Sequence, residues 1–460
     1  MQTKKKTTRN IKKTIKNSKK TASNPNAGLP DDFELSQEFI DTFNLIEGTN
    51  KNIYLTGDAG TGKTTFLKYL VANTKKRVVV LAPTGVAALN VGGQTIHSFF
   101  GLPPTYIQKS DIRKLPLEKS QLVKALDVII IDEASMVRAD LMDAVDYALR
   151  WNLGKKDIPF GGVQLVLVGD VCQLPPVVDK DLQKIMAKEY KSPYFFDANV
   201  FDRAEVFYFE MTKQYRQTDF KLIELLNKIR TKNLTDADLA ILNQRVTDAE
   251  LDGSVVLTMT NKDAAYINNG KLNELDYPEH HFEATISGRF YDETSYPADK
   301  ALRLKKGARV MMLRNDPGHR WVNGTMAVIE ELTEDSVKVL VGGNVYDVSL
   351  CEWDRVEYRF NRAEGVIEKD VIGVFKQYPL KLAWAITVHK SQGQTFDAIF
   401  IITGRGAFVH GQIYVGLSRC RTFDGIFLLN PIKHRDIIFD KRVDEFKGKF
   451  KKYVSLDKKI

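Results

Sequence analysis

The sequence holds little that could staple or anchor it from outside its own cores. Its 460 residues contain three cysteines, Cys172, Cys351 and Cys420, too scattered for a CxxC pair or a disulfide framework, which fits a reducing compartment. The seven histidines show no zinc-ligand spacing, and His280-His281 has no cysteine nearby. No apolar run approaches the roughly 18 residues that a membrane-spanning helix needs. The N-terminus is polar and lysine-rich, without the apolar centre of a secretory leader or the arginine bias of a mitochondrial presequence. The expectation is therefore a cytoplasmic chain with no membrane partner.

Acid is missing altogether from residues 1–30, which carry nine Lys/Arg. That segment accounts for the whole net charge of +9, so the rest of the chain is net neutral. Nucleic-acid affinity of the body must come from local arrangement of charge. The tail reads as disordered, serving either non-specific phosphate affinity or solubility.

From about residue 31, short apolar strands alternate with helical patterns. The runs NIYLT (52–56), VVVLA (78–82), VIIID (128–132) and LVLVGD (165–170) suit strands buried on both faces of a parallel sheet. A second series starts at VVLTM (255–259) and resumes with IFIIT (399–403) and IFLLN (426–430). Between them, from Arg309 to Gln377, short alternating runs with turns at Asn323-Gly324 and Gly342-Gly343 predict a small antiparallel barrel inserted in the second unit. Residues 101–120 carry three prolines and fit no period, which suggests a surface projection.

The segment GDAGTGKT, Gly57 to Thr64, follows a predicted strand and opens the helical run TTFLKYL. It fits a phosphate loop, whose backbone amides and helix N-terminus favour anionic phosphates. Gly57, Ala59, Gly60, Thr61, Gly62 and Thr65 would line it, with Lys63 on the β- and γ-phosphates of ATP and the Thr64 hydroxyl on Mg²⁺. Asp132 and Glu133 come at the end of a strand, 69 residues after Lys63. Asp132 suits the magnesium shell, and Glu133 suits activation of water; a helix N-cap is the competing structural explanation. Gln173, in the proline-stiffened GDVCQLPPV, is a candidate sensor of the γ-phosphate, with an ordinary strand-ending turn as the alternative. Arg216 and Arg419 are candidates to stabilise the leaving phosphate from outside the first unit.

In this order the segments resemble a superfamily-1 helicase, and more narrowly the PIF-type (petite integration frequency) family near the RecD-like branch. The matching blocks are GDAGTGKTT, APTGVAALNVGGQTIHSFFGL, IIIDEASMV, LVLVGDVCQLPPV, KQYRQTD, LKKGARVMMLRND, WVNGTMAVI, LAWAITVHKSQGQTFD and YVGLSRCRT, spread over roughly residues 33–430. The resemblance implies an α/β fold of two RecA-like lobes with an SH3-like barrel inserted in the second. Its expected boundaries are a first lobe at 31–200 with a wedge at about 101–120, a second lobe at 201–295 and 379–460, and the insertion at 296–378. It implies ATP hydrolysis, 5′-to-3′ movement on single-stranded DNA and unwinding of tailed duplexes by a monomer. Arg216 and Arg419 would be fingers across the cleft, Gln173 would couple nucleotide state to DNA, and Gly393 would face the nucleotide.

The resemblance further places Pro83, Thr84, His97, Ser98 and Phe99 of the first lobe on the DNA strand, with Thr387, His389, Lys390 and Ser391 of the second. Phe99 is equally readable as core, and Trp321 and Trp353 as either base-stacking or core residues. Gln37 is displaced from the spacing at which this family reads adenine. Two other activities fit much of the pattern: a DNA-stimulated translocase that remodels complexes without unwinding, and a non-motor nucleotide switch or kinase. The switch leaves Arg419 without a purpose.

Overall fold

The protein, as a computed structural model, is described over residues 14–15, 29, 35–215, 219–249, 254–290, 296–446 and 449–452. Arg216 and nearly all of the basic tail lie outside those residues.

The apolar runs become a seven-stranded parallel sheet. Its order is Lys451–Lys452, Val206–Met211, Asn52–Gly57, Gln164–Val168, Val128–Ile131, Val78–Ala82 and Gln94–Thr95. The central strands lack the alternation of a half-exposed sheet because helices cover both faces, and each is almost wholly buried. This sheet moves two expected boundaries. Val206–Met211, assigned above to the second lobe, pairs with the phosphate-loop strand Asn52–Gly57 along its whole length. Lys451–Lys452 crosses back from the second lobe to extend the same edge. Aromatic packing explains that return: Phe446 and Phe450 are buried against Tyr54 and Phe195, while Arg442 is paired with the buried Asp197.

The second lobe is a four-stranded parallel sheet, ordered Ala385–Thr387, Val255–Thr258, Ile399–Ile402 and Ile426–Leu428. The insertion divides where a single barrel was expected. Asn344–Val348, Val337–Val341, Met326–Leu332, Arg309–Met312 and Leu380–Leu382 form a five-stranded antiparallel sheet, in that order. Cys351–Asn361 and Val366–Gln377 leave it as a long hairpin, which pairs instead with Thr285–Gly288. Trp321 and Trp353 are both buried in the insertion, which makes them core residues.

The hairpin reaches the first lobe. Strand Val78–Ala82 meets Gln94–Thr95 only at Leu81 and Ala82, so the buried amide of Val80 has no strand partner there. The hydroxyl of Tyr358 accepts that N–H at 3.1 Å, as a buried backbone donor requires. Lys119 pairs with Glu357 at 2.8 Å beside it.

Residues 101–120 do not stand free. Ile107, Ile112 and Leu115 are buried, and the backbone amides of Ile107 and Leu115 donate to Asp140 and Asn152 on helix Ala139–Leu153. The prolines break the period, yet three apolar anchors lay the segment along that helix.

Phe446→Ala removes a fully buried ring, and is expected to destabilise the first lobe by about 3–5 kcal/mol, read as a lower urea midpoint. An unchanged midpoint would show that the returning segment contributes nothing.

Candidate functional site

The phosphate loop occupies the carboxyl end of Asn52–Gly57, where a parallel sheet presents ligands. Gly57 has to be glycine, because a Cβ there would lie 2.5 Å from the Met211 carbonyl of the neighbouring strand. Helix Lys63–Asn73 begins at the loop's end, directing its amide terminus into it. The Lys63 ammonium donates to the carbonyls of Gly57 and Asp58 at 2.8 and 2.9 Å, so it already lies folded over the loop. Thr64 is exposed and Thr65 half-buried at the helix start. Gly60 accepts from the amide of Tyr215 at 2.9 Å, and the Tyr215 ring packs on Phe39. The KQYR segment is thus seated on the loop up to the residue before Arg216.

Asp132 and Glu133 follow strand Val128–Ile131, beside the loop strand's neighbour. Asp132 is 7% exposed, and its carboxyl is pushed up to about 7, first by burial and then by the adjacent Glu133 carboxylate. Glu133 adopts the left-handed conformation at φ 49°, which costs an L-residue on the order of 1 kcal/mol or more and marks functional turns. It precedes a single 3-10 turn, Ala134–Met136, so the N-cap alternative survives only in a reduced form: no side-chain cap bond forms there. A buried carboxylate and an exposed hydroxyl are hard oxygen donors of the kind that Mg²⁺ takes.

Gln173 is buried, and its amide donates to Asp170 at 3.4 Å. The turn around it is held by the second lobe. A Cβ on Gly411 (φ 72°) would lie 2.4 Å from the Cys172 carbonyl, and the His410 ring bonds the Val171 carbonyl at 3.1 Å. Tyr414 goes further: its hydroxyl accepts from the Ala59 amide in the phosphate loop at 3.1 Å and donates to Asp170 at 3.3 Å. A second cross-lobe contact is made by Arg230, 2.5 Å from Asp58. Neither Tyr414 nor Arg230 was singled out from sequence, although Tyr414 lies inside the quoted block YVGLSRCRT.

Arg419 is placed differently from expectation. It is 1% exposed, and its guanidinium donates to Val415, Ser391, Gln394 and Ser418, all within the second lobe. Carbonyls of Ser391, in the HKSQG turn, and of Gln394 and Val415 therefore take donors that a finger would offer to phosphate. Gly393 forms the tip of that turn, exposed and at φ 75°.

The expected DNA residues separate by burial. Phe99 is a core residue, edge-on to Phe100 and Tyr358, which rules out stacking on a base in this arrangement. Thr387 and Ser391 are also buried: the Thr387 hydroxyl accepts from the Lys390 amide, and that of Ser391 donates to the Val388 carbonyl. They shape the turn and do not face a ligand. Thr84 caps helix Gly85–Asn90, and Ser98 accepts from Gln94. Pro83, Thr84, His97, Ser98 and His389 remain part-exposed, and Lys390 is exposed. Gln37 donates to Asp41 of its own helix.

The PIF1-like helicase profile matches residues 34–241, the Pif1 2B-domain profile 293–332 and the UvrD-like helicase C-terminal profile 382–422. The ATP-dependent DNA helicase Pif1 of Bdellovibrio bacteriovorus is 32% identical over 435 residues, 91% of this chain and 93% of that protein. The chain belongs to the PIF1-like helicase family. Xenopus laevis PIF1 is 33% identical over 88% of this chain, which spans 63% of that longer relative. Among solved structures, Bacteroides sp Pif1 with ADP-AlF4 is 38% identical, covers 91% of this chain and 97% of its own, and superposes with a TM-score of 0.84. The same helicase bound to single-stranded DNA scores 0.67 at equal identity and coverage. This chain thus superposes more closely on the ADP-AlF4 complex than on the single-stranded DNA complex.

The Asp132 shift has a readable consequence. Burial makes Asp132 hold a proton more readily than an ordinary carboxylate, and a cation held there would have to displace it. Magnesium–nucleotide affinity is therefore expected to rise with pH and level off above about 7, approaching a tenfold change per unit below it. Titrating a fluorescent nucleotide between pH 6 and 8 checks this; Asp132→Asn is expected to weaken binding and flatten the profile.

Proposed function

We propose that this chain hydrolyses ATP between two RecA-like lobes to move 5′-to-3′ along single-stranded DNA and separate duplexes ahead of it. The observation that carries the reading is the contact of second-lobe Tyr414 with the phosphate-loop amide of Ala59. A nucleotide in that loop lies where the second lobe must respond. Lys63 and the loop amides hold the phosphates, Glu133 orients and deprotonates the attacking water, and Gln173 reports the γ-phosphate through a turn that the second lobe already grips. Thr64 and Asp132 would hold Mg²⁺, which would supply neutralisation of phosphate charge. Arg216, next to the loop-bound Tyr215, supplies the first finger. Arg419 joins it on closure by exchanging carbonyls of the HKSQG turn for phosphate oxygens.

Strand contacts fall to Pro83, Thr84, His97 and Ser98 on one lobe and to His389 and Lys390 on the other, with hydroxyls and cations meeting phosphates irrespective of base. Residues 101–120 serve as the wedge and the five-stranded insertion as the SH3-like module. One chain carries the whole cleft, which supports a working monomer. Bacteroides Pif1 has been solved with single-stranded DNA and with a fork bound by two coordinating helicases, which supports single strands and tailed duplexes as partners. The translocase without unwinding is the second reading, because the anchored 101–120 segment is no free projection.

Strand displacement separates the readings. With ATP, duplexes bearing a 5′ tail are expected to open and those bearing only a 3′ tail to stay closed. Unwinding from 3′ tails alone would reverse the polarity, and DNA-stimulated turnover with neither opened would favour the translocase. Arg419→Lys, which keeps a cation, is expected to lower DNA-stimulated turnover on the order of 10³-fold, the scale of a lost finger. Turnover near that of the native chain would leave Arg419 purely structural.

A further inference from the structure

Arg230 ends helix Phe220–Arg230, which packs against the second-lobe helix Gln412–Leu417. Its guanidinium points out of that lobe into the first. One nitrogen is 2.5 Å from the Asp58 carboxylate, another 3.6 Å from Glu210, and Nε is 3.9 Å from the fully buried carboxylate of Asp170. Each partner begins or flanks a segment of the nucleotide site. Asp58 lies inside GDAGTGKT, Asp170 opens the turn to Gln173, and Glu210 precedes the strand end that leads to KQYR. Tyr414 grips the same two places from the same lobe, through Ala59 and Asp170.

Stability alone is a poor reason for such a cluster. A buried ion pair is often matched or bettered by apolar residues of similar volume, because desolvation offsets the attraction. This one is also incomplete: the buried Nε of Arg230 has no hydrogen-bond partner among the described residues, and its distance to Asp170 is too long for one. A small approach of the lobes would complete the bond, and a small separation would lose the longer contacts. Few arrangements are as sensitive to the angle between two bodies as one planar fork shared among three carboxylates of the other body.

We propose that Arg230 is a positioning residue that links the state of the phosphate loop to the angle between the lobes, acting through Asp58 and Asp170 without touching phosphate. It rests on the reading of the cleft as the nucleotide site and goes beyond it by naming the group that transmits occupancy. By linkage, nucleotide then alters DNA affinity, and DNA alters nucleotide affinity by the same factor.

The test measures affinity of the full chain for fluorescent single-stranded oligothymidylate, without nucleotide and with ADP–aluminium fluoride. In the native chain the two affinities are expected to differ by about 5-fold or more. Arg230→Gln and Asp58→Asn are each expected to bring that ratio to within about twofold of unity, and Arg230→Lys to restore part of it. An Arg230→Gln chain that melts within a few degrees of the native one and keeps the full ratio would overturn the proposal. Should Arg230→Gln not fold, Asp58→Asn decides, and an undiminished ratio there overturns it equally. A native ratio of one does so as well. Lys63→Ala tests the cleft reading separately: if nucleotide still binds and shifts DNA affinity normally in that variant, the site lies elsewhere.

Discussion

The amide of Ala59, inside the phosphate loop, is held by a hydroxyl 355 residues further along the chain. Around that bond the first lobe offers backbone amides at the ends of parallel strands, and the second offers side chains that reach only if the lobes sit at one angle. A single RecA-like sheet would bind a nucleotide without such a constraint. Two sheets joined across a loop turn phosphate binding into a question about domain geometry, and any mechanical output must pass through contacts of this kind. Tyr414, Gly411 and His410 all come from one short stretch before and within helix Gln412–Leu417. The cleft is therefore closed by a compact hinge-side face, without long reaching loops.

The same constraint explains why the first sheet takes strands from so far along the chain. Val206–Met211 pairs beside the phosphate-loop strand, and its end leads directly to the Tyr215 that sits on Gly60. Were that strand part of the second lobe, the KQYR segment would move with it, and the loop would lose its cover whenever the cleft opened. Placing it in the first sheet keeps Tyr215 with the loop. The aromatic return of Phe446 and Phe450 then secures the outer edge that Val206–Met211 would otherwise expose.

What could be read from the residues was mostly what local physics determines. Continuous apolar runs announced buried parallel strands, and the glycines and lysine of GDAGTGKT announced a phosphate loop, because those features act within a few residues. Burial of a polar side chain is a different matter. Thr387 and Ser391 looked like strand contacts, yet their hydroxyls close the turn that carries Lys390. Phe99, equally readable as core or as a strand contact, packs on Tyr358, a residue 259 positions away on an inserted hairpin. Arg230 belongs to no motif block, and its importance appears only when three acidic segments of another lobe meet it. Long-range juxtaposition leaves no trace in spacing. The split of the insertion into sheet and hairpin was hidden likewise, since both parts show the same period of two.

The hairpin's hold on the first lobe combines polar contacts with burial of aromatic rings. The Tyr358–Val80 hydrogen bond contributes about 1 kcal/mol net, and the half-exposed Lys119–Glu357 pair about 0–1 kcal/mol. Packing of the Tyr358 and Phe99 rings adds on the order of 1 kcal/mol beyond their burial. Burial of the two rings in the main core and the Lys369 ammonium on the Gly92 carbonyl add to these terms. The contact thus sets a buried phenol, bonded to the Val80 backbone, beside a part-exposed lysine–glutamate pair, so that one ring carries both the packing and the hydrogen bonding across the junction.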